Sequence, residues 1–362
     1  MPSKKIIIHA GPPKTGTSVI QSWLNNNVSS LAAHGIFYPS HDLDRNQISS
    51  GNFSEVLEVD EKKKVTFCEG KFLALVAKFE QSDAHTLLLS SEYFFKQIPT
   101  FKQYNYNYEF VVYLRPAIAF VESIYNQSVK RNGNDATIAI RANIENPFHT
   151  MLTRYLGKYG SKDFNVRGFG GHSVLGKSLV EDFAQVLDID KTLIHTNSKY
   201  VNRSYCFEAL ELKRYLNRYF GKQLDSELDP LLQQYEGGEY NFSLLPLSTF
   251  EDYKKQSLAE IACIAQLVPI VNKDKLTSSL NNMTRKAYRH QTLGAGAAKQ
   301  VLSFITNQNP RLFCDIATIL ISKSITAQDQ HIQATVKFLH DEMESKKEDR
   351  GWLAKLKQLV KL

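Results

Sequence analysis

The feature that most restricts this chain is a short apolar run, Lys5 to His9, that ends in a glycine- and proline-bearing turn. The run passes straight into His9-Ala10-Gly11-Pro12-Pro13-Lys14-Thr15-Gly16-Thr17-Ser18 and then into a helical pattern over residues 19–24. A run this apolar, without polar alternation, suits a strand buried on both faces. A glycine-bearing turn between such a strand and a helix gathers backbone N–H groups at the positive end of the helix dipole, which makes an anion site. Lys14 adds a mobile positive charge, and the Thr17 and Ser18 hydroxyls can donate to ester or sulfonate oxygens. Gly16 leaves the turn open to close approach. The plainer alternative is a strand-turn-helix corner with an exposed lysine.

Three more β-rich runs, at 86–90, 110–114 and 164–169, alternate with helical patterns. Residues 65–79 put Phe72, Leu73, Val76 and Phe79 at helical spacing, and 117–131 continues directly from the third strand. Both read as crossover helices, so the pattern predicts an α/β fold of three layers, a central parallel sheet flanked by helices. Beyond about residue 205 the pattern becomes helical, at 207–220, 258–268 and 297–305, with no convincing strand. The expected division is therefore a domain over 1–235 and a helical C-terminal region over 236–362, which could pack on the same domain. The polar stretch 235–243 is the linker candidate, and a loop within one domain fits it equally.

Composition narrows the function classes. With 362 residues, 43% hydrophobic and 22% charged, the chain is globular rather than disordered. The apolar stretch at 6–10 is too short for a signal peptide, and no run approaches the roughly twenty residues that span a bilayer. Cys68, Cys206, Cys263 and Cys314 lie far apart, with neither C-x-x-C nor zinc spacing, and read as small buried hydrophobes in a reduced compartment. A cytoplasmic location is expected. The net charge of +7 suits a handler of anions, but it is dispersed, so nucleic acid is not implied. At the C-terminus, Leu353, Leu356, Leu359 and Val360 stand against Lys355, Lys357 and Lys361. Such a segment could make weak contact with an anionic membrane surface, or pack on the body of the fold.

The spacing of the loop separates nucleotide users. In nucleoside-triphosphatases the pattern G-x-x-x-x-G-K-[ST] places lysine after the second glycine. Here Thr17 takes that place and lysine sits two residues before Gly16, against an ATP loop with a magnesium-binding hydroxyl. The string resembles the 5′-phosphosulfate loop of sulfotransferases that use 3′-phosphoadenosine 5′-phosphosulfate (PAPS), whose core is P-K-[ST]-G-T-[ST]. Pro13, Lys14, Thr15, Gly16, Thr17 and Ser18 match every core position. A second hallmark of that family is a strand ending in arginine, with a serine eight residues on. Val111-Val112-Tyr113-Leu114-Arg115-Pro116 and Ser123 fit it.

Likeness to bacterial carbohydrate-type members continues through Arg167, Leu179-Val180-Glu181-Asp182-Phe183 and Val201-Asn202-Arg203-Ser204, covering about three-fifths of the chain. The resemblance implies a P-loop-like fold, PAPS as donor with adenosine 3′,5′-bisphosphate as product, and no required metal. It also implies a hydroxyl acceptor, with a carbohydrate one candidate. By the same resemblance Pro13 to Ser18 would bind the phosphosulfate and Arg115 with Ser123 the 3′-phosphate. No R-K-G segment is found, which leaves the adenine wall unassigned.

Sulfuryl transfer to a hydroxyl needs a proton acceptor, and charge stabilisation where the phosphate leaves. Lys14, a point cation inside the loop, is the natural partner of the leaving oxygen. Glu92 is the favoured base, because it comes after Leu87-Leu88-Leu89-Ser90-Ser91 at a strand's carboxyl end, where ligands bind in open parallel sheets. A glutamate opening a helix, or paired with a lysine, would look the same. His9, His34 and His41 are rival bases that also fit structural roles. Tyr104-Asn105-Tyr106-Asn107-Tyr108 offers faces and amides to a sugar, or forms an edge strand or solvated loop. A nucleotide-dependent kinase and a catalytically silent nucleotide-binding relative remain as alternatives.

Overall fold

The computed structural model describes residues 4–42, 49–62, 64–170, 178–190, 204–323 and 329–359, with side chains in the last helix described up to residue 345. In chain order the first elements are β1 (Lys5–His9), α1 (Thr17–Asn26), α2 (Val28–Ala33), β2 (Ile36–Phe37), β3 (Leu57–Val59), β4 (Val65–Phe67) and α3 (Glu69–Gln81). Then come β5 (Thr86–Ser90), α4 (Phe94–Phe101), β6 (Tyr108–Leu114), α5 (Ala117–Asn132), α6 (Pro147–Tyr159), β7 (Phe164–Gly168) and α7 (Leu179–Val186). The chain continues with α8 (Phe207–Phe220), α9 (Asp225–Gln234), β8 (Phe242–Ser243), α10 (Leu247–Leu267), β9 (Ile270–Val271), α11 (Lys273–Asn281) and β10 (Ala287–Tyr288). It ends with α12 (Ala295–Gln308), α13 (Pro310–Ser322) and α14 (Gln330–Leu359).

Six strands form a parallel sheet in the order β2-β5-β1-β6-β7-β9. Successive residues of a strand point to opposite faces, and here both faces are covered. Ile6, Ile8, Leu87, Leu89, Phe110 and Val112 pack with side chains of α3, α4, α6 and α10. Ile7, Leu88, Val111 and Tyr113 pack with those of α1, α2 and α7. That double burial is why the strands read as continuous apolar runs instead of alternating ones.

Contacts divide the chain into two units. One comprises Met1–Val121, Arg141–Val201 and Ser248–Thr284, and holds the parallel sheet. The other comprises Glu122–Ile140, Asn202–Leu247 and Arg285–Leu362, and is built on helices whose buried faces meet through residues such as Leu212, Leu216, Val301, Phe313 and Val336. The two units interleave along the chain, β9 and α11 belonging to the sheet-bearing unit although they follow the first helices of the other.

Three expectations need correction. Residues 65–67 are the strand β4, paired antiparallel with β3, and the helix begins only at Glu69. Beyond residue 205 there are strands after all, since β9 closes one edge of the sheet and β8 pairs with β10. Each is two residues long, too short to carry a period. Of the cysteines only Cys206 is buried, Cys263 being exposed. Among the described residues no helix is long and apolar enough to cross a membrane. The side chains of 352–362, and residues 201–203 of the family likeness, lie outside the described residues.

Candidate functional site

The carboxyl ends of β1, β5 and β6 come together, His9 lying opposite Ser90 on one side and Val111 on the other. From β1 the chain leaves towards β2 and β5, whereas from β6 it leaves towards β7. In open parallel sheets such a divergence opens a crevice beyond the carboxyl ends, and the loop of residues 10–16 and Arg115 both stand there. The loop's backbone is unusual. Lys14 has φ 71° and Gly16 has φ 77°, and for lysine the left-handed region costs about 1 kcal/mol or more. Thr15, buried, stays inside the loop, its hydroxyl donating to the Pro12 carbonyl at 2.6 Å. A Cβ on Gly16 would lie 2.3 Å from Leu179 Cδ2 and 3.3 Å from Phe169 Cε2, so space as well as φ demands glycine here. No side chain caps α1 at this end, so its first turn and positive dipole end face the loop. Thr17 and Ser18 open that helix, Thr17 buried and Ser18 half-buried.

Arg115 comes directly after the last residue of β6 and donates from Nη1 to the Lys14 carbonyl at 2.6 Å. Its guanidinium lies 5.8 Å from the centre of the Phe169 ring, and its Nε is buried without a hydrogen-bond partner. Among the described residues no carboxylate pairs with it. Burial alone brings its pKa down to about 10, so it remains charged at neutral pH. A buried cation without a counterion is costly unless an anion joins it. Arg115 also borders a cavity of about 90 Å³ whose other walls include Pro116, Ala119, Phe169, Leu276 and Leu280. The α11 residues among these carry no motif, and sequence reading missed them; Phe169 and Leu179 stood in runs that the sequence singled out, but not as walls of the loop. Ser123 is half-buried on the stretch of α5 that belongs to the second unit.

Glu92 sits two residues beyond β5, half-buried. Burial pushes its carboxyl above the ordinary value, while the Lys14 ammonium and the Thr17 hydroxyl pull it back. Those two opposing influences place all three groups in one neighbourhood, although the Thr17 Oγ1 makes no hydrogen bond of good geometry.

The histidines are arranged differently. His9 is fully buried, its Nδ1 2.8 Å from Ser90 Oγ and its ring packed on Phe183 and Tyr113. Burial depresses its pKa to about 3, which keeps it neutral in the working range. His34 contacts the Ser30 carbonyl at the end of α2. His41 bridges Tyr38 and Ser49 and is lowered by burial against the opposing charge of Asp42.

Two other sequence candidates have structural partners. Arg167 is clamped by Asp182, with Nε to Oδ2 at 2.6 Å and Nη2 to Oδ1 at 2.8 Å, and Tyr113 donates to the same carboxylate at 2.8 Å. Tyr104 and Tyr106 pack against Phe67 and Phe72, and Tyr108 opens the central strand β6. Residues 104–107 form a loop with Asn105 and Asn107 exposed, leading into the amino end of β6, about 20 Å of strand from Arg115, and the run is not an edge strand.

The arrangement is a cationic crevice at the carboxyl ends of an α/β parallel sheet, with one carboxylate beside it. No family model, curated protein or solved structure matches the chain.

Proposed function

We propose that the protein is a sulfotransferase that moves a sulfuryl group from PAPS to a hydroxyl acceptor, a carbohydrate being the candidate the sequence suggests. Support comes above all from Arg115, a buried guanidinium with no carboxylate partner among the described residues, joined through the Lys14 carbonyl to a loop with two left-handed residues. The order β2-β5-β1-β6-β7, with the anion loop after β1, supports a P-loop-like fold. The residues fit such a donor: a loop and helix terminus for a phosphosulfate and, for a second phosphate, a guanidinium whose buried Nε has no partner. Ser123 keeps the role that the sequence pattern gives it.

In this reading the acceptor oxygen attacks sulfur as the bond from sulfur to the phosphate oxygen breaks, and Glu92 takes the acceptor's proton. Burial raises the Glu92 carboxyl pKa above the ordinary value, which makes it a stronger base than an exposed glutamate. Lys14 stabilises the charge that develops on the departing phosphate. The test is release of adenosine 3′,5′-bisphosphate from PAPS in the presence of glycan, lipid and phenol pools, with thermal shifts by that product and by ATP with magnesium alongside. Turnover and a larger shift by the bisphosphate are expected. Equal shifts, or a preference for ATP with magnesium, would overturn the proposal in favour of a kinase, and binding without turnover would favour a silent relative.

A further inference from the structure

Among the described residues no carboxylate orients the Arg115 guanidinium, so its direction comes from the backbone that carries it and from the Lys14 carbonyl. Two main-chain groups of that backbone lead to one distant helix, α10. Three residues on, the Ile118 N–H belongs to the first turn of α5, where the helix supplies no acceptor. It donates instead to Ser257 Oγ at 2.9 Å, and the Ser257 hydroxyl, fully buried, donates in turn to the Tyr253 carbonyl at 2.8 Å. At Arg115 itself, the carbonyl accepts from Asn146 Nδ2 at 3.1 Å.

Asn146 is itself held on all sides. Its Oδ1 accepts the Phe148 N–H at 3.1 Å, capping α6, and its own N–H donates to Glu260 Oε1 at 3.3 Å. Glu260 Oε2 lies 2.8 Å from His149 Nδ1, and His149 Nε2 lies 3.4 Å from Asn146 Nδ2. The cap fixes the amide orientation, so Asn146 Nδ2 is turned to the Arg115 carbonyl and the imidazole edge.

Farther up the same segment, Gln256 Oε1 accepts the Ile144 N–H and its Nε2 donates to the Ala142 carbonyl, while Tyr253 OH accepts the Arg141 N–H and donates to the Arg141 carbonyl. Tyr253, Gln256, Ser257 and Glu260 fall at i, i+3, i+4 and i+7, one polar stripe on α10. The stripe grips residues 141–146 and reaches the main chain at Arg115 and Ile118. Apart from the Glu260 contact with His149, its members serve main-chain groups, and none of the hydrogen bonds of the stripe is to the Arg115 guanidinium.

We propose that α10 is the positioning element of the Arg115 anion site, acting through Asn146 and Ser257. The proposal rests on Arg115 binding an anionic ligand. Ser257→Ala deletes one hydroxyl. Asn146→Asp keeps the acceptor that caps α6 and loses the donor to the Arg115 carbonyl. Each variant is expected to weaken adenosine 3′,5′-bisphosphate by about tenfold, the cost of a misplaced charged contact, with the far-ultraviolet circular dichroism unchanged.

In an Arg115→Met background, measured by competition at high ligand, the same changes should alter the dissociation constant less than about twofold, because their effect runs through Arg115. An undiminished tenfold loss in that background, or no loss in the single variants, overturns the positioning role. If the parent protein does not bind the bisphosphate, the sulfotransferase reading fails separately. The role of α10 is then decided by proton exchange at the Arg115 Nε–H in ligand-free protein. Faster exchange in both variants supports positioning, and unchanged exchange overturns it.

Discussion

Replacing Arg115 by methionine separates a residue kept for a ligand from one kept for the fold. Burial brings the guanidinium to a pKa of about 10. At 1.36 kcal/mol per tenfold change in proton affinity, that is a desolvation cost on the order of 3 kcal/mol. Against it stands one charged hydrogen bond to the Lys14 carbonyl, a bond of roughly 1.5–3 kcal/mol. The Phe169 ring at 5.8 Å adds at most about 0.5–1 kcal/mol. Methionine fills similar volume without charge, so these terms nearly cancel in the free protein. The melting temperature of the ligand-free variant is expected within about 3 °C of the parent, and either sign is allowed by the balance.

The bound state should differ. A phosphate on the parent meets a cation already stripped of water, and losing it should weaken adenosine 3′,5′-bisphosphate by about a hundredfold or more, near 2.7 kcal/mol. Thermal melts with and without ligand, together with titration calorimetry, measure both numbers. A variant that loses more than about 3 kcal/mol of stability while binding the bisphosphate as well as the parent would refute the reasoning and make Arg115 a structural residue.

Other expectations concern the loop and its neighbour. Lys14→Ala should lower kcat by about a hundredfold or more with a smaller change in donor affinity, and normal turnover per bound donor would reduce Lys14 to an anchor. Glu92→Gln should lower kcat by about two to four orders of magnitude and abolish an acid limb lying above the ordinary glutamate range, since burial raises this carboxyl. The stability sign is the opposite of the usual carboxylate case. With the folded pKa raised, ionising Glu92 costs stability as pH rises through that value, so in neutral solution the ligand-free glutamine variant should melt no lower than the parent. Gly16→Ala should destabilise by about 1–3 kcal/mol through its φ and through Leu179. Pairing it with Leu179→Ala should relieve the steric part, seen as a smaller loss in the double variant than the sum of the singles.

By itself the sequence determined the local pieces whose physics is local. β1 and β5 were legible residue for residue, and β6 and β7 nearly so, because burial on both faces writes an unbroken apolar run. The turn after β1 was legible because glycine, proline and lysine between strand and helix have few other uses. Where the period was ambiguous, as at Val65–Phe67, or the strand too short to have one, as at β2 and β9, only pairing partners could decide. The tertiary structure also decided which charges stay unpaired. Arg115 follows one β-rich run and Arg167 lies within another, yet Asp182 neutralises Arg167 and no carboxylate among the described residues reaches Arg115. Glu92 was placed near the loop by strand order, but its raised pKa comes from packing. The α10 stripe meets the Arg115 segment across some 140 residues of chain. Hydrogen bonds at that separation leave no periodic trace, since nothing in a one-dimensional pattern records which distant polar group will satisfy a buried N–H.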